Sequence, residues 1–298
     1  MRGGRRRDHD GMSENVHPRA DELESLTTLE LVQLMDAEEL RAHAAIHPQL
    51  AEIARAVDGI VERLRSGGRL HYFGAGTSGR IAVLDAAECP ATFGIAPDLV
   101  QAHEGGDDAQ EDDEHLGRDH AVDSGVGAGD VAVGISASGT TAYVLSAIGT
   151  AKAAGAMIVG LTCAPGSPLG HAADIAIEVE TGPEVIAGST RLKAGTVQKV
   201  ILNMISTGTF TRLGHTYRGR MVNVVATNEK RRARAARLVA ELGGTSIELA
   251  ARALTEARGN AKTAILMLRR GVSALEAEEL LSAAGGKLDG RLTQAQRP

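Results

Sequence analysis

Tryptophan is absent from the sequence, and the remaining large aromatic side chains are three phenylalanines and three tyrosines. A sugar platform made of stacked rings is excluded on that count. So is the binding of single-stranded nucleic acid by base stacking. Cysteine is almost as scarce, with Cys89 and Cys163 in separate segments. The pair sets up neither a disulfide framework nor a metal-ligand spacing, and it fits a reducing cytoplasm. No apolar stretch reaches the roughly 18 residues of a membrane span, and the N-terminus has no apolar signal-peptide core, so no membrane partner is expected. Positive charge is not in excess either. The formal net charge is −6, which argues against a nucleic-acid partner. Arg5, Arg6 and Arg7 form one small basic run, read as a flexible arm that a start at Met12 would remove.

What remains must build the core from Ala, Val, Ile and Leu, which favours closely packed helices and buried parallel strands. Glycine is plentiful, 36 of 298 residues, against a usual ~7%. The length suggests about two domains.

Residues 1–25 read as a flexible, polar segment. From Thr27 or Thr28, as a cap, a helix is expected with Leu29, Leu31, Val32 and Met35 along one face. A second helix follows Pro48, with Leu50, Ile53, Val57, Ile60, Val61 and Leu64 at helical spacing, and stops at Gly67-Gly68. The pattern then changes to strands at 69–73, 99–103, 130–136, 156–162 and 175–179, with a short helix from Arg80, another at 142–154 and a long one at 193–213. Such alternation predicts a doubly wound α/β fold, a parallel sheet flanked by helices. After Asn228 the chain reads as helix alone, at 229–242, 246–257, 260–269 and 274–283. The expected division is a segment 1–25, an α/β domain 26–228 with its N-terminal helices, and a C-terminal helical subdomain 229–298.

Gly74, Gly76 and Gly79 match G-x-G-x-x-G between a strand and a helix, which raises a dinucleotide reading. Against it, Glu104 lies about 30 residues from Gly74 instead of the usual ~20. Thr77 and Ser78 also place two hydroxyls at the turn. Hydroxyls with backbone N–H groups at a helix start suit a phosphate monoester. Ser136, Ser138, Gly139, Thr140 and Thr141 repeat that chemistry after another buried strand. Two such turns at strand ends can converge on one small-molecule ligand at a switch point. A third segment, Gly188-Ser189-Thr190-Arg191-Leu192-Lys193, is either a helix start with solvated charges or a third contact through Ser189, Thr190 and Lys193.

Glu88 precedes Cys89-Pro90. Proline disfavours a helical residue before it, so Glu88 is expected near a helix end and within reach of a ligand on the first turn. The stretch from Glu104 to Asp123 is densely acidic and includes Glu111, Asp112, Asp113 and Glu114. It reads as a solvated helix start. His103, His115 and His120 lie nearby, but their spacing matches no standard metal cage.

Together these segments resemble the N-acetylmuramic acid 6-phosphate etherases, enzymes with a sugar isomerase (SIS) domain. The resemblance rests on Gly74–Arg80 (GAGTSGR), Leu84–Pro90 (LDAAECP), Gly188–Thr196 (GSTRLKAGT), Val224–Lys230 (VVATNEK) and Asn260–Ile265 (NAKTAI), in that order along nearly the whole chain. It implies a SIS-type fold and cleavage of the D-lactyl ether of N-acetylmuramic acid 6-phosphate, without metal or other cofactor. It also implies a homodimer whose site a partner chain completes. Glu88 matches the family's acid, and Glu111 the base that takes the C2 proton. The spacer between Gly105-Gly106 and Glu111 is shorter than in the family, which leaves Glu104 and Glu114 open as alternatives to Glu111. Where the family shows Arg-Thr-Pro after Ser-Gly, this chain has Thr140-Thr141-Ala142. A non-catalytic sugar-phosphate regulator on the same scaffold is the other reading.

Overall fold

The computed structural model describes residues 15–106, 108–223 and 229–289. The Arg5–Arg7 run, Met12 and most of the VVATNEK motif, Val224–Asn228, lie outside the described residues. The part of the N-terminal segment that is described holds a 3-10 turn at Ala20–Ser25.

Two helices open the fold, α1 (Thr28–Ala44) and α2 (Leu50–Arg65). Thr27 caps α1 as a capping box: its hydroxyl accepts from the Glu30 N–H, and the Glu30 carboxylate accepts from the Thr27 N–H. The buried face of α1 is not the expected one. Leu34, Glu38 and Ala42 point inward, while Leu29 is 66% and Val32 56% exposed. A buried ion pair of Glu38, described below, sets that rotation and leaves an apolar stripe uncovered. Helix α2 behaves as its spacing predicts, burying Ile53, Ala56, Val57, Ile60 and Val61.

The sheet is made of β1 (Leu70–Gly74), β2 (Val100–Glu104), β3 (Val131–Ser136), β4 (Met157–Thr162) and β5 (Ile175–Glu178), all parallel, in the order β2-β1-β3-β4-β5. Both flanks of β1 are strands, so the order reverses between β1 and β3, and ligands of such sheets bind outside the strand ends at that reversal. The strands from β1 to β4 are connected in sequence by α3 (Gly76–Phe93), the single turn α4 (Asp108–Glu111), α5 (Glu114–Asp123) and α6 (Ala142–Ala153). The short α7 (Pro168–Ala172) joins β4 to β5, and the long α8 (Lys193–Arg212) follows the sheet. On one face Phe73, Ala132 and Ile158 pack with Ala121 of α5 and Tyr143, Val144, Ala147, Ile148 and Ala151 of α6. On the other, the buried carboxylate of Asp85 in α3 accepts from Tyr72 OH at 3.2 Å and from Ser206 Oγ of α8 at 3.3 Å. Small helix side chains pack around the few aromatic ones, Tyr72, Phe73 and Tyr143, which are wholly buried.

The remainder comprises a two-stranded hairpin, β6 (Thr216–Tyr217) with β7 (Arg220–Met221), and helices α9 (Glu229–Gly243), α10 (Ile247–Glu256), α11 (Ala261–Arg270) and α12 (Ala274–Ala283). Ser246, Asn260 and Ser273 cap the last three helices. Val239, Ala250, Ala264, Ile265, Leu266, Ala277 and Leu281 form its core. The chain thus divides into two compact units. One holds the chain up to Ala87 with Asp98–Ser206, and the other holds Glu88–Pro97 with the chain from Thr207 onward.

Candidate active site

The first glycine-rich turn is itself the opening turn of α3, which begins at Gly76 and not at Arg80. The first N–H groups of a helix have no partner within it, so they offer donors to an anion. Gly76 has φ +52°, a left-handed conformation that glycine adopts without strain. A Cβ there would also collide with Glu111 Oε1. A Cβ on Gly79 would fall 2.6 Å from the Gly74 carbonyl oxygen and 2.7 Å from Glu104 Cγ. The glycines therefore admit both backbone and carboxylates to close range. Thr77 is half-buried and packs beside Gly195 of α8, so the third segment does adjoin the first. Ser78 is buried and donates to Gln198 Oε1 at 2.9 Å. Its hydroxyl thus faces α8.

The second turn follows β3, next to β1 in the sheet. Ser136 Oγ accepts from the Gly139 N–H at 2.9 Å and lies 2.8 Å from Thr141 Oγ1. Ser138 Oγ lies 2.9 Å from Thr140 Oγ1. Ser138 is half-buried and Thr140 exposed, so these two hydroxyls border solvent. Thr141 is the N-cap residue of α6, yet its side chain does not cap the helix. The two turns thus flank the reversal between β1 and β3 as expected.

In the third segment Lys193 is drawn into a buried ionic network. Glu184 caps α8, accepting from the Lys193 and Ala194 N–H groups at 3.0 Å each. Burial pushes its carboxyl up, against the pull of those donors. Lys193 Nζ lies 2.7 Å from Glu38 Oε2, with the two side chains 3% and 6% exposed. Arg41 pairs with the same carboxylate, and His17 Nε2 approaches it at 3.5 Å. Burial works to raise the Glu38 carboxyl, but Lys193, His17 and Arg41 outweigh it and hold it below the usual range. Lys193 is therefore a structural cation, neither solvated nor presented to the turns. Ser189 and Thr190 are half-buried in the preceding bend.

Among the acidic residues, Glu111 on α4 reaches the Gly76 turn. Glu104 ends β2 opposite Gly74 and lies 3.6 Å from Arg80 Nε. Glu114 is exposed at the start of α5, and Asp113 caps that helix through the His115 and Leu116 N–H groups. Despite the short spacer, then, Glu111 lies at the turn. Helix α3, which carries Glu88, continues through Pro90 to Phe93. The expectation that proline ends the helix beside Glu88 fails because the single bond lost at Pro90 falls in the final turn, where little helix remains to disrupt.

Sequence reasoning missed a row of rings behind Glu104. His71 Nδ1 lies 3.4 Å from His103 Nε2, and His120 Nδ1 lies 2.8 Å from Tyr143 OH. Burial pushes both His71 and His103 down to about 4. Burial, aided by Glu104, raises the Tyr143 hydroxyl. The available signal was histidine inside otherwise buried strands. No cluster that could hold a metal ion occurs among the described residues. Cys89 and Cys163 are buried and form no disulfide, and burial pushes Cys163 up to about 12. No described helix is long and apolar enough to cross a membrane.

The SIS domain model matches residues 36–163. The N-acetylmuramic acid 6-phosphate etherase of Streptomyces avermitilis is 45% identical over 96% of this chain and 94% of its own length. That of Rubrobacter xylanophilus is 46% identical over 96% of this chain and 97% of its own. The phosphoheptose isomerase structure from Neisseria gonorrhoeae shares the fold, with 22% identity and a TM-score of 0.51 over 62% of this chain and 100% of that one.

Proposed function

The chain belongs to the N-acetylmuramic acid 6-phosphate etherase family, and from that premise we propose the reaction and the roles of its residues. It cleaves the D-lactyl ether of N-acetylmuramic acid 6-phosphate, giving N-acetylglucosamine 6-phosphate and D-lactate, a step of amino-sugar catabolism and cell-wall sugar recovery. The observation that carries the assignment of residues is Glu111 against Gly76, a carboxylate at a turn suited to phosphate.

The phosphate sits between the α3 start and the Ser136–Thr141 turn, held by backbone N–H groups and by Ser138 and Thr140. Ring opening exposes an aldehyde at C1, which acidifies the C2 proton. Glu111 takes that proton, the C3–O bond breaks, and lactate leaves with a proton from an acid. Water then adds to C3 of the unsaturated aldehyde and C2 is reprotonated. Two carboxylates of different proton affinity suffice for these transfers.

The acid is Glu88 of the partner subunit. One observation supports a homodimer: α1 carries the uncovered side chains Leu29, Val32 and Leu40, 56–66% exposed. Two buried cysteines without a disulfide fit a cytoplasmic location. Incubation with N-acetylmuramic acid 6-phosphate and assay for D-lactate tests the activity; a chain that binds the sugar phosphate and releases no lactate is the regulator instead.

A further inference from the structure

The glycine turn after β1 has unlike neighbours on its two sides. Toward β3 stand the hydroxyls of Ser138 and Thr140; toward β2 stand the carboxylates of Glu104 and Glu111. Adjacent strands are about 4.8 Å apart, so a phosphate seated on the β3 side leaves a sugar to extend across the turn toward β2. Glu104 is held there by its strand. It pairs in register with Gly74, and its Cγ would touch a Cβ on Gly79 at 2.7 Å. Its side chain is 30% exposed, and its nearest cation, Arg80 Nε, is 3.6 Å away on a side chain 66% exposed. That is a loose surface pair, which leaves the carboxylate with acceptor positions to offer.

An ionised glutamate accepts hydrogen bonds and cannot donate them. Few groups of the substrate can answer it. The phosphate and the lactyl carboxylate are anions, the C3 ether oxygen is an acceptor, and C1 becomes a carbonyl during the reaction. The acetamido N–H is attached at C2, where Glu111 acts. Ring opening frees a C5 hydroxyl, but in the closed sugar that oxygen is in the ring and carries no hydrogen. The C4 hydroxyl is a donor in closed and open sugar alike and takes no part in the elimination.

Resting on the etherase reading, we propose that Glu104 is a specificity-determining residue that accepts a hydrogen bond from the C4 hydroxyl of the sugar phosphate. It binds and orients the sugar and transfers no proton.

The test is a cycle between residue and hydroxyl. Wild type, Glu104→Ala and Glu104→Gln are assayed for D-lactate release from N-acetylmuramic acid 6-phosphate and from its 4-deoxy analogue. Calorimetry measures binding of N-acetylglucosamine 6-phosphate and its 4-deoxy analogue to the same proteins. Glu104→Ala is expected to raise KM about tenfold with kcat within about threefold, the size of one hydrogen bond to a charged group. Deleting the hydroxyl is expected to weaken wild type about tenfold and Glu104→Ala less than about twofold, in kcat/KM and Kd alike. Glu104→Gln, which keeps an acceptor and the side-chain shape, falls between and serves alone if the alanine variant unfolds. An unchanged KM, a loss confined to kcat, or an equal penalty for the missing hydroxyl in wild type and variant overturns the proposal. Failure of the etherase reading is separate, seen as wild type releasing no D-lactate, and the binding cycle still decides the role of Glu104.

Discussion

Lys193 and Glu38 form an ion pair at 2.7 Å that is almost wholly closed to solvent. It joins the first turn of α8 to the middle of α1. A buried charge left with no partner costs about 3–5 kcal/mol, but removal of Lys193 leaves Glu38 with Arg41 and His17. Lys193→Met is therefore expected to lower unfolding stability by about 2 kcal/mol, less than that full cost, read from denaturant midpoints. Replacing both residues by apolar ones should cost less. A Lys193→Met protein of unchanged stability but weak phosphate binding would return this lysine to the ligand.

The two carboxylates separate by which bond they serve. Glu111→Gln is expected to abolish both D-lactate release and exchange of the C2 proton in heavy water, a loss of about 100-fold or more. Glu88→Gln is expected to stop lactate release while C2 exchange continues. Nuclear magnetic resonance of the sugar, with an enzymatic lactate assay, reads both. Lactate release at the normal rate by Glu111→Gln would remove it as the base.

The dimer reading has its own measurement. If each site joins Glu111 of one chain to Glu88 of another, mixed dimers of Glu88→Gln and Glu111→Gln chains regain one intact site in two. Co-expressed chains with different tags should recover about half of the wild-type activity per mixed dimer. If both carboxylates act from a single chain, mixing restores nothing.

Stability should fall with acidity below neutrality. His71 and His103 are held down at about 4 by burial, against about 6.5 in an unfolded chain. Between those values the unfolded state binds more protons, so the stabilisation is complete above about pH 6.5 and fades as pH drops toward 4. Each histidine contributes on the order of 2 kcal/mol to that slope. Urea midpoints at pH 7 and pH 5 measure it, and His103→Leu should flatten it; an unchanged slope would mean the ring is not titrating as described.

Strand order was the part of the fold that periodicity could not supply, but the elements themselves were legible. DVAVGIS is apolar at nearly every position because a central parallel strand is covered on both faces, and Ser246, Asn260 and Ser273 announce helices by capping them. The face of α1 was misread because apolar spacing at Leu29, Val32 and Met35 outranked Glu38, whose burial depends on a lysine 155 residues away. The ion pair of Lys193 was hidden for the same reason from the other end, and so was the hydrogen bond of Ser78 to Gln198, 120 residues on. The run of α3 past Glu88 reflects a local effect, the tolerance of a proline in a last helical turn. Glu111 was identified by its motif, but its position beside Gly76 is a tertiary fact.

Thr141 heads α6, yet its hydroxyl is turned to Ser136. The first turn of α6 is left without the side-chain oxygen that usually finishes a helix. A phosphate resting there would be the missing piece of secondary structure, supplied by the ligand and removed with the product. Occupancy of the site would then be written into the amide hydrogen exchange of Ala142, Tyr143 and Val144, slow with sugar phosphate bound and fast without it.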